Sequence, residues 1–234
     1  MNAEMREATE KRRSESVDGS SFISAFIIRG RDAPTNMLRT KLILASKSPR
    51  RAEILRAVGW QFESIAADID ETRERDEDAV SYVKRLAKSK AEKIRAQVAN
   101  GIVLGADTTV VVNGEILEQP HDAEDARRML HLLNNKWHEV LTGVALISDG
   151  TPDGSDTVIV DHEVTRVRFG EMSDAEIDWY ISTGEPFGKA GAYGIQGHAA
   201  LFIEEVKGDY FNIVGLPIRL VYELLNKAKI TSRG

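Results

Sequence analysis

Cysteine is absent from all 234 residues. That excludes disulfides, Cys-ligated zinc, iron–sulfur clusters and thiol nucleophiles. No uninterrupted apolar stretch approaches the ~18 residues of a membrane span; the greasiest early segment, Phe22 to Ile28, is too short, so no membrane partner is expected. An excess of positive charge is missing as well, since 31 basic against 37 acidic side chains give a formal charge of −6. Surfaces that track nucleic-acid phosphates need surplus Lys and Arg, so no nucleic-acid polymer is expected as a partner, although a small local basic pocket remains compatible. Three familiar motifs are lacking too: there is no GxxxxGK[ST] phosphate loop, no GxGxxG after a strand and no HExxH. The five histidines are scattered. His138, in Trp137-His138-Glu139-Val140, reads as a residue that orients structure, with no catalytic role. Trp60, Trp137 and Trp179 read as core or interface residues rather than base-stacking platforms.

What is present is ordinary globular composition, 42% hydrophobic and 29% charged, enough for one large domain or two closely joined lobes. Residues 1–40 are expected to be a flexible N-terminal extension, because the first twenty mix both charges with Ser and Gly and show no apolar period. Their five acids fit an organelle transit peptide poorly, so a cytoplasmic location is the default expectation. The folded domain is expected over residues 41–230. Within it, Leu42–Ser46 reads as a strand, and Ser48-Pro49 starts a helix that ends at Gly59. After a strand at Gln61–Ile65, an amphipathic pattern predicts a helix from Asp78 to Val98. Ile102–Val112 reads as a strand, Asn113-Gly114 as a hairpin turn and Asp122 as a helix cap. Val140–Ser148 and Thr157–Phe169 read as strands joined by an exposed loop, and Ser173 with Glu176 forms a capping box. Leu201–Val206 reads as a strand and Pro217–Ala228 as the last helix. Crossovers mixed with hairpins predict an α/β fold, a mixed sheet with flanking helices.

Three segments carry candidate chemistry. Ser46-Lys47-Ser48-Pro49-Arg50-Arg51 places two arginines in the first turn of a helix, against its dipole. They read either as part of a polyphosphate cradle or as solvated and paired with acids. Gly105-Ala106-Asp107-Thr108-Thr109 sets a carboxylate inside an apolar strand, which is costly unless it is paired or metal-bound; the alternative is a cap for a neighbouring loop. A second carboxylate is available from Asp68-Ile69-Asp70-Glu71-Thr72, and such oxygen donors suit Mg²⁺ or Mn²⁺. The glycine-rich stretch from Thr183 to Gly197 reads either as a floppy loop or as a ligand-hugging one. In the second case Lys189 offers a point charge for phosphate and Gln196 an amide for a base edge.

Taken in order, LILASKSPRR, DIDET, LAKSKA, GADTTVVVNGEIL, TGV, GEPFGKAGAYGIQG and GDYFNIVGLP resemble the Maf family of nucleoside triphosphate pyrophosphatases, over Leu42 to Leu225. The resemblance implies an α/β fold with two lobes around a cleft, similar to the inosine triphosphate pyrophosphatases. It implies cleavage between the α and β phosphates of dTTP, UTP and modified pyrimidine nucleotides, with a divalent cation (Mg²⁺ or Mn²⁺) as cofactor, and a homodimer. It further implies Asp107 as proton acceptor, Arg50, Thr108 and Gln196 as specificity residues, Glu71 with Asp107 at the metal, and Lys90 on phosphate. Ser46 and Arg51 belong to the same binding motif. Two positions depart from the family's pattern: Gln119-Pro120 replaces the usual Lys-Pro, and Gly188 replaces an Asp before Lys-Ala-Gly. The rival readings are a non-catalytic nucleotide-binding regulator of cell division and a purine-selective housecleaning pyrophosphatase.

Overall fold

The apolar run Ile102–Val112 forms the central strand β3 of a seven-stranded mixed sheet in the computed structural model, which describes residues 40–149 and 156–228. The readings for residues 1–39 and for the loop at 150–155 lie outside the described residues. Before β3 come β1 (Leu42–Ala45), α1 (Pro49–Ala57), β2 (Phe62–Ser64) and α2 (Ala79–Arg95). After it come β4 (Glu115–Leu117), α3 (Ala123–Leu133), β5 (Trp137–Asp149), β6 (Asp156–Phe169) and α4 (Asp174–Ser182). Two 3₁₀ turns (Ala190–Ala192 and His198–Phe202), β7 (Ile203–Lys207), α5 (Tyr210–Val214) and α6 (Ile218–Lys227) complete the order. The strands run β2-β1-β3-β5-β6-β7, with β4 paired to β3. β1 is parallel to both β2 and β3, and every other pairing is antiparallel.

Local chemistry explains most boundaries. The Asp78 side chain accepts from the Ser81 amide and starts α2, and Asp122 does the same for α3 through Asp125. At α4 the full capping box of Ser173 and Glu176 forms. Asn113 and Gly114 both take positive φ, 52° and 80°, as a tight two-residue hairpin requires. Two expectations are corrected. Leu201 and Phe202 belong to a 3₁₀ turn (His198–Phe202) rather than to the strand, so β7 starts at Ile203, and Leu201 is 73% exposed. β5 reaches back to Trp137, because Trp137–Glu139 pair with Arg166–Arg168. The tryptophans, read as core or interface residues, divide: Trp179 lies outside the core at 44% exposed, whereas Trp60 packs on the apolar cluster under α1 and α6.

Because successive strand residues face opposite ways, β3 divides the interior. Ile102, Leu104 and Ala106 pack with Ile54 and Leu55 of α1 and with α6. On the same side, Val110 and Val112 join a second cluster with α3 and α4. Val103 faces the other way, onto Ala87, Ala91 and Ile94 of α2. Each large aliphatic side chain so buried contributes about 1.5–3 kcal/mol. Helix α2 lies unusually close to the sheet. A Cβ on Gly105 would sit 2.1 Å from the Ala87 carbonyl, and one on Gly143 2.2 Å from the Val83 carbonyl. Those two bare positions bring Lys90 of α2 within reach of β3.

One feature of the sheet prepares the site. β1 stops at Ala45, opposite Gly105, and β4 joins β3 only at Val110. Between them, Ala106–Thr109 has β5 on one edge and, among the described residues, no strand on the other. The gap lies at the carboxyl end of a parallel strand, where open α/β sheets bind ligands.

Candidate active site

A cleft of about 580 Å³ opens over that gap, within the range of small-molecule sites. It runs between the cluster under α1 and α6 and the one under α3 and α4, giving the two-sided arrangement expected around a cleft. Ser46, Arg50, Arg51, Glu71 and Lys90 line it. So do Asp107, Thr108, Gln119, Lys189 and Gln196. These ten side chains, all singled out from the sequence, are brought to one place from segments up to 150 positions apart.

The lining groups fall into two sets, committed and free. Arg51 is committed. Its Nε donates to the Gly215 carbonyl at 2.8 Å, and its two terminal nitrogens donate to Ser46 Oγ and Thr108 Oγ1, both at 3.1 Å. Ser46 Oγ also accepts from the Ser48 amide at 3.1 Å, so Ser48 occupies the cap position of α1 without capping through its own side chain. Thr108 Oγ1 is 3.0 Å from Thr142 Oγ1. These bonds tie β1, β3, β5 and the α5–α6 turn into one floor. Burial lowers the Arg51 pKa; Asp107 and Glu71 oppose that shift and Arg50 adds to it.

Arg50, Gln119 and Gln196 are free: none makes a side-chain hydrogen bond or ion pair among the described residues. Burial lowers the Arg50 pKa against the pull of Glu53. Burial also lowers that of Lys189, and the like charge of Arg50 lowers it further, against the pull of Glu185. The Lys189 ammonium donates to the Glu185 carbonyl, and it has no carboxylate within ion-pair distance among the described residues. Two half-buried cations that feel one another and lack such a partner make a site for an anion.

Beside them is the acid. Asp107 is 8% exposed and points to the α2 side, where Lys90 Nζ donates to its Oδ1 at 2.6 Å. The same ammonium lies 2.7 Å from Glu71 Oε1. Burial raises the Asp107 pKa; Lys90 and Arg51 pull it back, Glu71 pushes it up, and the net direction is upward. Its Oδ2 makes no hydrogen bond among the described residues and is not sealed from solvent. Asp70, the other acid considered at this loop, instead accepts from the Thr72 amide at 2.9 Å and shapes the turn.

The donor set suits a hard cation in one specific way. Mg²⁺ and Mn²⁺ take one or two carboxylates from a protein and complete their shell with water and phosphate oxygens. Glu71 and Asp107 offer that pair. Among the described residues no three or more His, Asp or Glu side chains are arranged as a cage.

One residue beside the site had no signal in the sequence. Tyr82, on α2, lies 2.6 Å from Glu118 Oε1 and 3.0 Å from the Glu71 carbonyl, pinning the acidic loop. His138 is buried; its Nε2 meets the Tyr193 hydroxyl at 2.7 Å, and burial depresses its pKa to about 3. That agrees with an orienting role.

Comparison with known proteins gives a consistent answer. The Maf-like protein family matches residues 41–228. A dTTP/UTP pyrophosphatase of Koribacter versatilis is 47% identical over 189 residues, covering 81% of this chain and 95% of that protein. One from Symbiobacterium thermophilum is 46% identical, covering 80% and 93%, and one from Hahella chejuensis is 49% identical, covering 77% and 88%. Among solved structures, the Staphylococcus aureus Ham1 protein aligns with TM-score 0.44 at 15% identity, covering 80% of this chain and 99% of its own. With the family matching nearly the whole folded part, and relatives nearly half identical across their own length, this chain belongs to the Maf-like protein family.

Proposed function

We propose that this protein hydrolyses dTTP, UTP and modified pyrimidine nucleoside triphosphates between the α and β phosphates, giving a nucleoside monophosphate and pyrophosphate. The observation that carries this reading is Asp107: a buried carboxylate, raised in pKa, with one oxygen open to a cleft that also holds the unpaired cations Arg50 and Lys189. The names of the relatives support dTTP and UTP among these substrates.

The chemistry follows from the charge on a polyphosphate. Arg50 and Lys189 receive the phosphate oxygens, and their forced proximity is relieved when an anion enters between them. Arg51, Ser46 and Thr108 hold the floor rigid, so the α phosphorus meets a preorganised surface. A water held at Asp107 Oδ2 attacks the α phosphorus while its proton passes to that oxygen. The bond from the α phosphorus to the bridging oxygen breaks, and pyrophosphate leaves with the electron pair. A base with a raised pKa holds that proton more firmly than an ordinary aspartate. Lys90 keeps Asp107 oriented through Oδ1. A divalent cation held by Asp107 and Glu71 would supply further neutralisation of the phosphate charge. Gln196, whose side chain has no internal partner, offers a donor for O4 and an acceptor for N3–H of thymine or uracil.

The test is Asp107→Asn assayed for pyrophosphate release from dTTP with magnesium. Loss of turnover is expected, and wild-type turnover would sink the assignment. Gln119, neutral where the family usually has a cation, favours the rival reading of a nucleotide-binding regulator. Pyrophosphate release across the common nucleoside triphosphates, with and without EDTA, separates the two readings, and purine preference would appear in the same panel. The homodimer carries over as a proposal from the resemblance and is checked by light scattering, and the cytoplasmic location carries over from the composition of the leading residues. Among the described residues, no helix is long and apolar enough to cross a membrane.

A further inference from the structure

The glycine-rich segment that carries Lys189 and Gln196 is anchored in its middle by the buried Tyr193, whose hydroxyl meets His138 Nε2, and by the Gly191 amide on the Glu118 carbonyl; one side chain joins its two ends. Glu185 stands at its beginning, and its carboxylate collects donors from its end. Oε2 accepts from the His198 amide at 2.8 Å and meets His198 Nδ1 at 2.8 Å. Oε1 accepts from the Ala199 amide at 3.4 Å and from the Tyr180 hydroxyl, on α4, at 3.0 Å. The Glu185 carbonyl meanwhile accepts from Lys189 Nζ. Room for this carboxylate exists because residue 197 has no side chain: a Cβ on Gly197 would lie 2.3 Å from Glu185 Oε2. Burial works to raise the Glu185 pKa, but the bonds from His198, Tyr180 and Ala199 outweigh it and hold the group ionised.

We propose that Glu185 is the positioning residue for base selection: its carboxylate closes the segment 185–199 into a fixed loop and thereby sets where Gln196 stands. Gln196 is exposed and has no side-chain partner of its own, so only the backbone on either side of it determines its place. The next two amides after Gly197 are the ones Glu185 grips. This inference rests on Gln196 reading the base, as proposed above, and adds what aims it.

The experiment compares wild type with Glu185→Gln, which keeps size but loses charge and half of the accepting capacity. Two readouts are taken: kcat and KM for dTTP, UTP, CTP and GTP, and amide hydrogen exchange over residues 188–199. The expected result is faster exchange in the loop and a preference for dTTP over CTP and GTP narrowed by about tenfold, mostly through KM. A purely structural Glu185 would lower the melting temperature and leave the preference in place; an unchanged preference overturns the proposal whether or not exchange rises. If wild type itself releases no pyrophosphate, the functional reading fails on its own, and the same preference is then measured by calorimetric binding of the four nucleotides to both proteins. If Glu185→Gln does not fold, Tyr180→Phe removes one donor from the same carboxylate. A smaller shift of preference in the same direction is then expected, and none overturns the proposal.

Discussion

Lys90 is the most informative position to perturb. Its ammonium is the hydrogen-bonding partner of Asp107 and an ion partner of Glu71, and both Lys90 and Asp107 are 8% exposed. Lys90→Met keeps the length and removes the charge. Breaking a buried pair from one side costs about 3–5 kcal/mol; Asp107 keeps one oxygen at the cleft, so the lower end, about 3 kcal/mol, applies here. The loss depends on pH in a defined sense. Because the folded-state pKa of Asp107 is raised, the native protein binds a proton that the unfolded chain releases earlier, and stability falls as pH rises from the ordinary aspartate value to the elevated one. Without Lys90 that elevated value climbs further. The variant should therefore lie near wild type at roughly pH 5 and well below it at roughly pH 8. Urea unfolding followed by tryptophan fluorescence at both values measures this. Lys90→Met with Asp107→Asn should recover at least half of the deficit, since the stranded charge is gone. A deficit equal at both pH values, with no recovery in the double variant, would refute the burial argument.

Other outcomes follow from the same geometry. Arg51→Lys keeps a charge but loses the three-way fork to Ser46, Thr108 and Gly215, so stability should drop by about 1–3 kcal/mol. Arg50→Lys should leave the melting temperature close to wild type and raise KM instead; thermal melts and kinetics of the two variants, side by side, show whether committed and free arginines differ. His138 should stay neutral over roughly pH 5–8, because burial depresses its pKa to about 3. The unfolded imidazole protonates first, so this residue weakens the fold as pH falls below its ordinary value, and a ring-proton NMR signal moving near pH 6.5 would contradict its burial.

Elements governed by neighbours in sequence were legible from the letters. Apolar and polar spacing set β3 at Ile102–Val112, and short-range side-chain bonds set the caps at Asp78, Asp122 and Ser173. A carboxylate in an apolar strand marked Asp107 as costly and therefore purposeful. What stayed hidden depends on contacts across the fold. Arg51 and Gly215 are 164 positions apart, and no local pattern says that a guanidinium in the SPRR turn is spent on a distant carbonyl. Glu185 looked like one more polar residue in a glycine-rich stretch, because its acceptors are matched by donors brought back from residues 198 and 199. Leu201 and Phe202 read as the start of a strand for the same reason: an apolar pair fits strand or 3₁₀ turn alike, and the Glu185 bonds to the amides of 198 and 199 lie outside any local pattern.

The interrupted pairing along β3 has one more consequence. Between Ala106 and Thr109, every second residue turns its amide and carbonyl toward the opening instead of toward another strand. Such groups belong to the polypeptide itself and survive any exchange of side chains. A ligand held partly by them would keep that foothold while the surrounding side chains drift.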